Sequence, residues 1–187
     1  MQTVIITGPK HSGKTCAGRE LAKLLGCSFT DLDEEIARHT GKSPRELYAE
    51  GEEIFRKAEA EAVGREQGKG NKEQKFSVLA AGGGIIDNRE AMVFFENNPS
   101  IIIIYLNVSA ETAWERISRE GELPPFIMNN GQDSEQFNIE QAREQHRILH
   151  ERRAAAYRKI ADIAIEANGK SAVEIAGKIM AYLKTIT

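Results

Sequence analysis

Apolar residues follow two spacings that alternate along the whole chain. Short aliphatic or β-branched runs, typical of buried strands, are each followed by stretches in which apolar residues recur every three or four positions, as in helices. Strands are predicted at residues 3–7, 28–32, 78–81, 101–106 and 163–165. Helices are predicted at residues 14–25, 52–67, 91–95 and 172–183. Two further helices are predicted to begin at residues 43 and 109, and another is predicted to end at about residue 159. Strands separated by helices favour right-handed crossovers and therefore an α/β fold with a parallel sheet covered on both faces.

The turn after the first predicted strand, residues 8–15, carries the most specific motif of the chain. It reads Gly-Pro-Lys-His-Ser-Gly-Lys-Thr and fits G-x-x-x-x-G-K-[ST] between a strand and a helix, the context that this motif requires. Gly8 and Gly13 allow successive N–H groups to converge on phosphate oxygens at the positive end of the following helix. In such a loop Lys14 reaches the β- and γ-phosphates, and the Thr15 hydroxyl is a ligand of Mg²⁺. The sequence therefore predicts a site for a nucleoside triphosphate and Mg²⁺.

Two aspartates, Asp31 and Asp33, stand at the end of the second predicted strand. Ligands of such sheets bind at the carboxyl ends of the strands, so both side chains are expected to face the cleft. A carboxylate opposite a triphosphate requires a metal ion or a hydroxyl proton between the two anions. The same residues also fit a helix N-cap with acidic neighbours, and Asp33 is a candidate for that position.

Three further patterns are less specific. Arg56 and Glu59 lie one helical turn apart, a spacing that usually indicates a surface pair. Three glycines, residues 82–84, end an apolar strand, which predicts a close approach of the backbone to a ligand. His146 and His150 have the spacing of a metal-binding pair, but no third ligand stands near them in the sequence. We therefore expect a solvated helix face there rather than a zinc site.

Composition excludes several classes of protein. The 187 residues suffice for one domain with a substantial core, with 41% hydrophobic and 28% charged residues. The net charge of −3 offers no basic surface for nucleic acid, and the longest aliphatic run, residues 101–104, is too short to cross a bilayer. The N-terminus lacks the features of a signal peptide, and Cys16 and Cys27 form no disulfide framework. We therefore expect a cytoplasmic protein without nucleic-acid or membrane partners.

Taken together, these clusters resemble the shikimate kinase family over nearly the whole chain. Residues 31–33 match its D-x-D motif, residues 51–59 match G-E-x-x-F-R-x-x-E, and residues 153–157 match R-x-x-x-Y. The resemblance implies a P-loop kinase fold, a five-stranded parallel sheet in the order 2-3-1-4-5 with helices on both faces and a lid. It further implies a single domain, residues 1–187, that acts as a monomer on a small molecule. Within this domain, residues of about 33–67 would form substrate-binding helices, and those of about 121–138 the lid.

The resemblance also implies a role for each matched residue. The implied catalytic residues are Lys14 and Asp33. The implied ATP-binding residues are Gly8, Ser12, Gly13, Lys14, Thr15, Cys16 and Arg116, the last packed against the adenine. The implied substrate-binding residues are Asp33, Arg56, Gly82, Gly83 and Arg153, in which the two arginines grip a carboxylate. The implied Mg²⁺-binding residues are Thr15 and Asp31, the latter through water.

The implied reaction is phosphoryl transfer from MgATP to the 3-hydroxyl of shikimate, a step of aromatic amino acid biosynthesis. One segment departs from the family pattern. The family lid carries R-P-L-L, and its arginine reaches toward the transferring group, whereas residues 123–126 here read Leu-Pro-Pro-Phe. Residues 121–141 contain no lysine or arginine at all. A kinase of another small hydroxy acid on the same fold, or a nucleotide-binding relative with weak or lost catalysis, therefore remains an alternative.

Overall fold

The computed structural model describes residues 1–66, 74–96, 98–120 and 139–186. The strands are β1 (Gln2–Thr7), β2 (Ser28–Asp31), β3 (Phe76–Ala80), β4 (Ile101–Asn107) and β5 (Ile163–Glu166). The helices are α1 (Lys14–Leu25), α2 (Leu32–Thr40), α3 (Pro44–Glu50), α4 (Glu52–Glu66), α5 (Arg89–Glu96), α6 (Ala110–Glu120), α7 (Ile139–Ile160) and α8 (Ala172–Ile186), with a 3₁₀ turn at Ile85–Asp87. No helix in these ranges combines the length and the apolar character that crossing a bilayer requires.

The strands form one parallel sheet in the order β2-β3-β1-β4-β5, which confirms the predicted fold and order. Alternate positions of β1 face opposite sides. Ile5 is in register with Leu79 and Ile103. It belongs to a core that also contains residues of α2, α4, α5 and α7. Its neighbour Val4 belongs to a second core that contains α1 and α8. Because both faces of the sheet are covered, the middle residues of its central strands are apolar on both faces, as is usual for a parallel sheet.

Local hydrogen bonds explain where several helices begin. The predicted second strand ends at Asp31, one residue early, because the Asp31 carboxylate accepts hydrogen bonds from the backbone N–H groups of Asp33 and Glu34 and caps α2. The N-cap is therefore Asp31 and not Asp33. The helix predicted from residue 43 is present as α3, and its N-cap Ser43 forms a capping box with Glu46. The predicted lid, residues 121–138, lies outside the described residues.

The expectation of a solvated face at His146 and His150 is wrong. Both imidazoles are buried between α6 and α7, where the His146 ring lies 5.4 Å from Trp114 and 5.8 Å from His150, centroid to centroid. Burial, together with the neighbouring positive charge, lowers the pKa of His146 to about 4, and burial also lowers the pKa of His150. These rings are therefore neutral at physiological pH, and that of His146 packs against the indole. Within the described ranges, no three potential metal ligands converge.

The close packing of α1 on the sheet can be tested by replacing a glycine of α1 with alanine and comparing it with a matched control. A Cβ at Gly18 would lie 2.5 Å from Cε2 of Phe29 and 3.4 Å from Cδ1 of Ile6. We expect Gly18→Ala to lower the free energy of unfolding by about 1–3 kcal/mol, the usual cost of overpacking, although alanine favours helix. Urea denaturation measures this difference.

The control is Gly177→Ala in α8, where an added Cβ meets nothing within 4 Å. This variant should keep its stability or gain up to about 1 kcal/mol, because alanine has the higher helix propensity. If the Gly18→Ala protein proved as stable as the Gly177→Ala protein, the Phe29 ring would have moved aside without cost, and the packing argument would fail.

Candidate active site

The glycine-rich loop between β1 and α1 lies at the carboxyl edge of the sheet. Gly8 has a φ of 147° and Gly13 a φ of 93°, backbone conformations that residues other than glycine rarely adopt. A Cβ at Gly8 would stand only 2.7 Å from the carbonyl oxygen of Leu106 and 2.9 Å from Oγ of Ser12. Glycine is therefore required at this position by both the backbone angle and the lack of space.

Lys14 is the first residue of α1 and folds back under the loop. Its Nζ donates hydrogen bonds to the carbonyl oxygens of Gly8, at 3.0 Å, and Pro9, at 2.8 Å. Desolvation by the surrounding protein lowers the pKa of Lys14 to about 8, although the negative charges of Asp33 and Asp31 oppose this shift. An anionic phosphate beside Nζ would favour the charged form, so the loop fits the group that the motif predicts.

The two candidate Mg²⁺-binding residues are in direct contact. Oγ1 of Thr15 donates a hydrogen bond of 2.6 Å to Oδ2 of Asp31. The other carboxylate oxygen, Oδ1, is occupied by the N-cap bonds of α2. A hydroxyl and a carboxylate are the hard oxygen donors that Mg²⁺ prefers, and this pair lies beside the phosphate-binding loop, so the donor set fits the ion.

Three further candidates for nucleotide binding lie in the loop or beside it. Oγ of Ser12 is buried and has no hydrogen-bond partner in the described part of the chain. Nη1 of Arg116, on α6, donates a 2.6 Å hydrogen bond to the carbonyl oxygen of His11 and so joins α6 to the loop. Cys16 is exposed at the start of α1. The structure thus brings all three to the loop, and their contact with a nucleotide stays a prediction.

Asp33 lies in the open cleft beside the loop. Solvent reaches its side chain, yet protein surrounds it on most sides. This desolvation, together with the negative charge of Asp31, raises its pKa, whereas the positive charges of Lys14 and Lys10 lower it. A Cβ at Gly82 would lie 3.5 Å from Oδ1 of Asp33, so the glycine-rich turn after β3 comes close to this carboxylate.

Arg56 is held in place on α4 by a buried polar network. Its Nη1 donates to Oε2 of Glu59, at 3.2 Å, and to the carbonyl oxygen of Gly84, at 2.9 Å. The amide of Asn88 donates to the same Glu59 oxygen, at 2.9 Å, and to the carbonyl oxygen of Arg56, at 2.8 Å. Glu59 is fully buried, which raises its pKa, although the bonds from Asn88 and Arg56 oppose the shift. The pair that looked like a surface pair in the sequence therefore orients a guanidinium.

A second guanidinium reaches the same turn from α7. Nε of Arg153 donates to Oδ2 of Asp87 at 2.8 Å, and Nη2 of Arg152 donates to both oxygens of that carboxylate at 2.8 and 2.9 Å. A Cβ at Gly84 would lie 2.9 Å from Nη2 of Arg153. Arg56 and Arg153, which are 97 positions apart in the sequence, therefore meet at Gly84, as a site for one carboxylate requires.

The glycine-rich turn is also joined to the phosphate-binding loop. A Cβ at Gly83 would stand 2.8 Å from the backbone nitrogen of Lys10. Tyr157 of α7, whose ring stacks on Tyr105 at 5.4 Å, donates its hydroxyl proton to the carbonyl oxygen of Gly83 at 3.3 Å. Burial raises the pKa of Tyr157, so this hydroxyl remains a donor.

Sequence reasoning missed Asp87 and Asn88, which hold the two arginines. Asn88 carried one weak signal, because it stands just before a predicted helix and its Oδ1 accepts the backbone N–H of Ala91 as an N-cap. Asp87 carried no such signal, because its partners are 65 and 66 positions away. Only the meeting of the 3₁₀ turn with α7 identifies it.

Comparisons with known proteins agree with the family resemblance and with the fold. The shikimate kinase family model matches residues 10–184. A shikimate kinase of Persephonella marina is 30% identical over 185 residues, 98% of this chain and 100% of that protein. One of Francisella tularensis subsp. novicida is 31% identical over 183 residues, 97% of this chain and 94% of that protein. The solved structure of the Acinetobacter baumannii shikimate kinase in complex with shikimate superposes with a TM-score of 0.82 at 30% identity, covering 100% of this chain and 95% of that one.

Replacement of the buried amide of Asn88 tests the polar network that holds Arg56 and Glu59. In Asn88→Ser the hydroxyl can still cap α5, but the two bonds to Glu59 and to the Arg56 carbonyl are lost. We expect the free energy of unfolding, measured in urea, to fall by about 1–3 kcal/mol, because a buried carboxylate loses a donor. Asn98→Ser, in a partly exposed turn, is the control and should stay within about 0.5 kcal/mol of the parent protein. A stability equal to that of the control would contradict the network.

Proposed function

The chain belongs to the shikimate kinase family, phosphotransferases that act on a hydroxyl group, and we propose that it transfers the γ-phosphoryl group of ATP to the 3-hydroxyl of shikimate. The observation that carries this proposal is the meeting of Arg56 and Arg153 at Gly84, next to Asp33 and the phosphate-binding loop. That arrangement supplies a site for a carboxylate, a site for a hydroxyl and a site for a triphosphate in one cleft. A small acid that bears a hydroxyl group fits all three.

The two arginines bind the carboxylate of the acceptor. A guanidinium presents parallel N–H groups that match a carboxylate, which a lysine cannot do. Glu59 and Asp87 hold the two guanidinium groups before the acceptor arrives. Less side-chain freedom is therefore lost on binding, and the acceptor hydroxyl is positioned with little residual motion. Gly82 and Gly83 contribute backbone groups that approach the acceptor closely.

Asp33 orients the acceptor hydroxyl and takes its proton as the new bond forms. Its raised pKa makes it a better base than an ordinary aspartate, because desolvation disfavours the charged form. Lys14 holds the β- and γ-phosphates. Thr15 and Asp31 would hold Mg²⁺, the latter through water, and the bound ion would neutralise charge on these phosphates. Gly8, Ser12, Gly13 and Cys16 contribute backbone groups, and Arg116 packs against the adenine.

The proposal extends to the organisation of the protein. We propose one domain, residues 1–187, in which residues 33–67 bind the acceptor and residues 121–138 form the lid. It acts as a cytoplasmic monomer. Because residues 121–141 contain no lysine or arginine, a second acceptor of similar chemistry is the alternative that the experiments must address.

A coupled ADP-release assay with MgATP and a panel of hydroxylated acids tests the function. We expect shikimate to give a kcat/KM at least about 10-fold above quinate or gluconate, a difference of about 1.4 kcal/mol in transition-state stabilisation. Lys14→Ala is the matched control and should lower kcat/KM by more than about 10-fold while circular dichroism shows an intact fold. A preference for another acid would displace shikimate as the substrate. ADP release from no acid at all would indicate lost catalysis.

Conservative changes of the two arginines test the carboxylate site. We expect Arg56→Lys and Arg153→Lys to weaken shikimate binding by about 10-fold or more, because lysine keeps the charge but loses the paired N–H groups. Binding of a non-hydrolysable ATP analogue should change by less than about 2-fold, and isothermal titration measures both affinities. Arg147→Lys, on the exposed face of α7, is the control. Equal losses for both ligands would refute the assignment.

A further inference from the structure

Phosphoryl transfer requires positive charge directed at the transferring group, because negative charge spreads over its oxygens in the transition state. In the described part of the cleft, the guanidinium of each arginine is held by an acceptor. Arg56 is held by Glu59, Arg116 by the His11 carbonyl, and Arg152 and Arg153 by Asp87. Residues 121–138 supply no lysine or arginine from the sequence. A side-chain cation that acts in the transition state, in addition to Lys14 and bound Mg²⁺, would therefore come from another part of the site.

Lys10 is in a position to supply it. The backbone N–H of Ser12 donates to the carbonyl oxygen of Pro9 at 3.2 Å, which closes a turn with Lys10 and His11 at its centre. His11 has a φ of 61°, a left-handed conformation that costs roughly 1–2 kcal/mol for a residue with a side chain. Strain of this kind in a ligand-binding loop indicates that the path of the turn serves the site.

Packing holds the backbone of Lys10 between the two halves of the site. A Cβ at Gly83 would lie 2.8 Å from the nitrogen and 3.3 Å from the Cα of Lys10, so the glycine-rich turn lies directly against it. The positive charge of Lys10 lowers the pKa values of both Lys14 and Asp33, so its ammonium lies within electrostatic range of the phosphate clamp and of the acceptor carboxylate. Among the described residues the ammonium has no ion-pair partner. Its charge is therefore available to a ligand.

We propose that Lys10 is a further catalytic residue, whose ammonium contacts the transferring phosphoryl group and stabilises the charge that develops on it. The inference rests on the proposed function. In the step, the bond from phosphorus to the β–γ bridging oxygen breaks, and ADP leaves with the electron pair. The acceptor oxygen forms the new bond to phosphorus, and its proton passes to Asp33. Lys10 stays protonated throughout and transfers no proton.

The kinetic test compares Lys10→Met with Lys10→Arg. Methionine keeps the length of the side chain without its charge, so we expect kcat to fall by about 100-fold with both KM values within about 3-fold of the parent protein. Arginine restores the charge and should return kcat to within about 5-fold. Lys23→Met, on the exposed end of α1, removes one positive charge away from the cleft and should leave kcat unchanged. A kcat of Lys10→Met within about 3-fold of the parent value would overturn the proposal.

A second measurement does not depend on the identity of the acceptor. MgADP with aluminium fluoride mimics the transferring group, and isothermal titration compares its affinity with that of MgADP alone. Lys10→Met should weaken only the fluoride complex, by about 10-fold or more, even if shikimate proves not to be the substrate. Equal affinities, or an equal loss for both ligands, would refute a catalytic role. A loss confined to Arg119→Gln, three residues beyond Arg116, would assign the charge to Arg119 instead.

Discussion

The active site depends on the close approach of a glycine-rich turn to its neighbours on three sides. A side chain at Gly82 would meet the carboxylates of Glu59 and Asp33, one at Gly83 would meet the backbone of Lys10, and one at Gly84 would meet the guanidinium of Arg153. The carbonyl oxygens of the same turn accept bonds from Tyr157 and Arg56. Because the turn carries no side chains, its backbone can position the nucleotide loop and the acceptor site relative to each other.

Lys14 and Asp33 carry opposite charges in this cleft, and a bound ligand would give each of them a partner. Desolvation brings the pKa of Lys14 down to about 8 and raises that of Asp33, so each group is less charged on average than in water. Both shifts have the same main cause, the removal of solvent by the surrounding protein. A triphosphate beside Lys14 would favour the charged lysine, and an acceptor hydroxyl beside Asp33 would supply it with a hydrogen-bond donor. Ligand binding and protonation are therefore coupled in this site.

On the proposed acceptor side, one buried and one solvent-accessible carboxylate hold the two arginines. Glu59 and Asp87 neutralise Arg56 and Arg153 and fix their directions, and Asn88 completes the shell around Glu59. An unpaired carboxylate at Glu59 would be costly in the interior, so its hydrogen bonds also favour one arrangement of the side chains. In the proposed function, these contacts set the directions of the two guanidinium groups before the acceptor binds.

Local patterns in the sequence sufficed for the succession of strands and helices along the chain, the phosphate-binding loop and the start of α3, because each depends on neighbours within a few positions or on a recognisable motif. The residues of the acceptor site were implied only by the family resemblance, and their contact with an acceptor stays a prediction. The tertiary structure decided the rest. Only the structure shows that Asp87 contacts an arginine, because the 3₁₀ turn lies against α7, and that His146 is buried, because α7 packs on Trp114. A sequence pattern specifies which faces of a helix are apolar, but a histidine or an aspartate is compatible with water and with a partner alike. The partner, brought from more than thirty positions away by the fold of the chain, determines which of the two environments the side chain occupies.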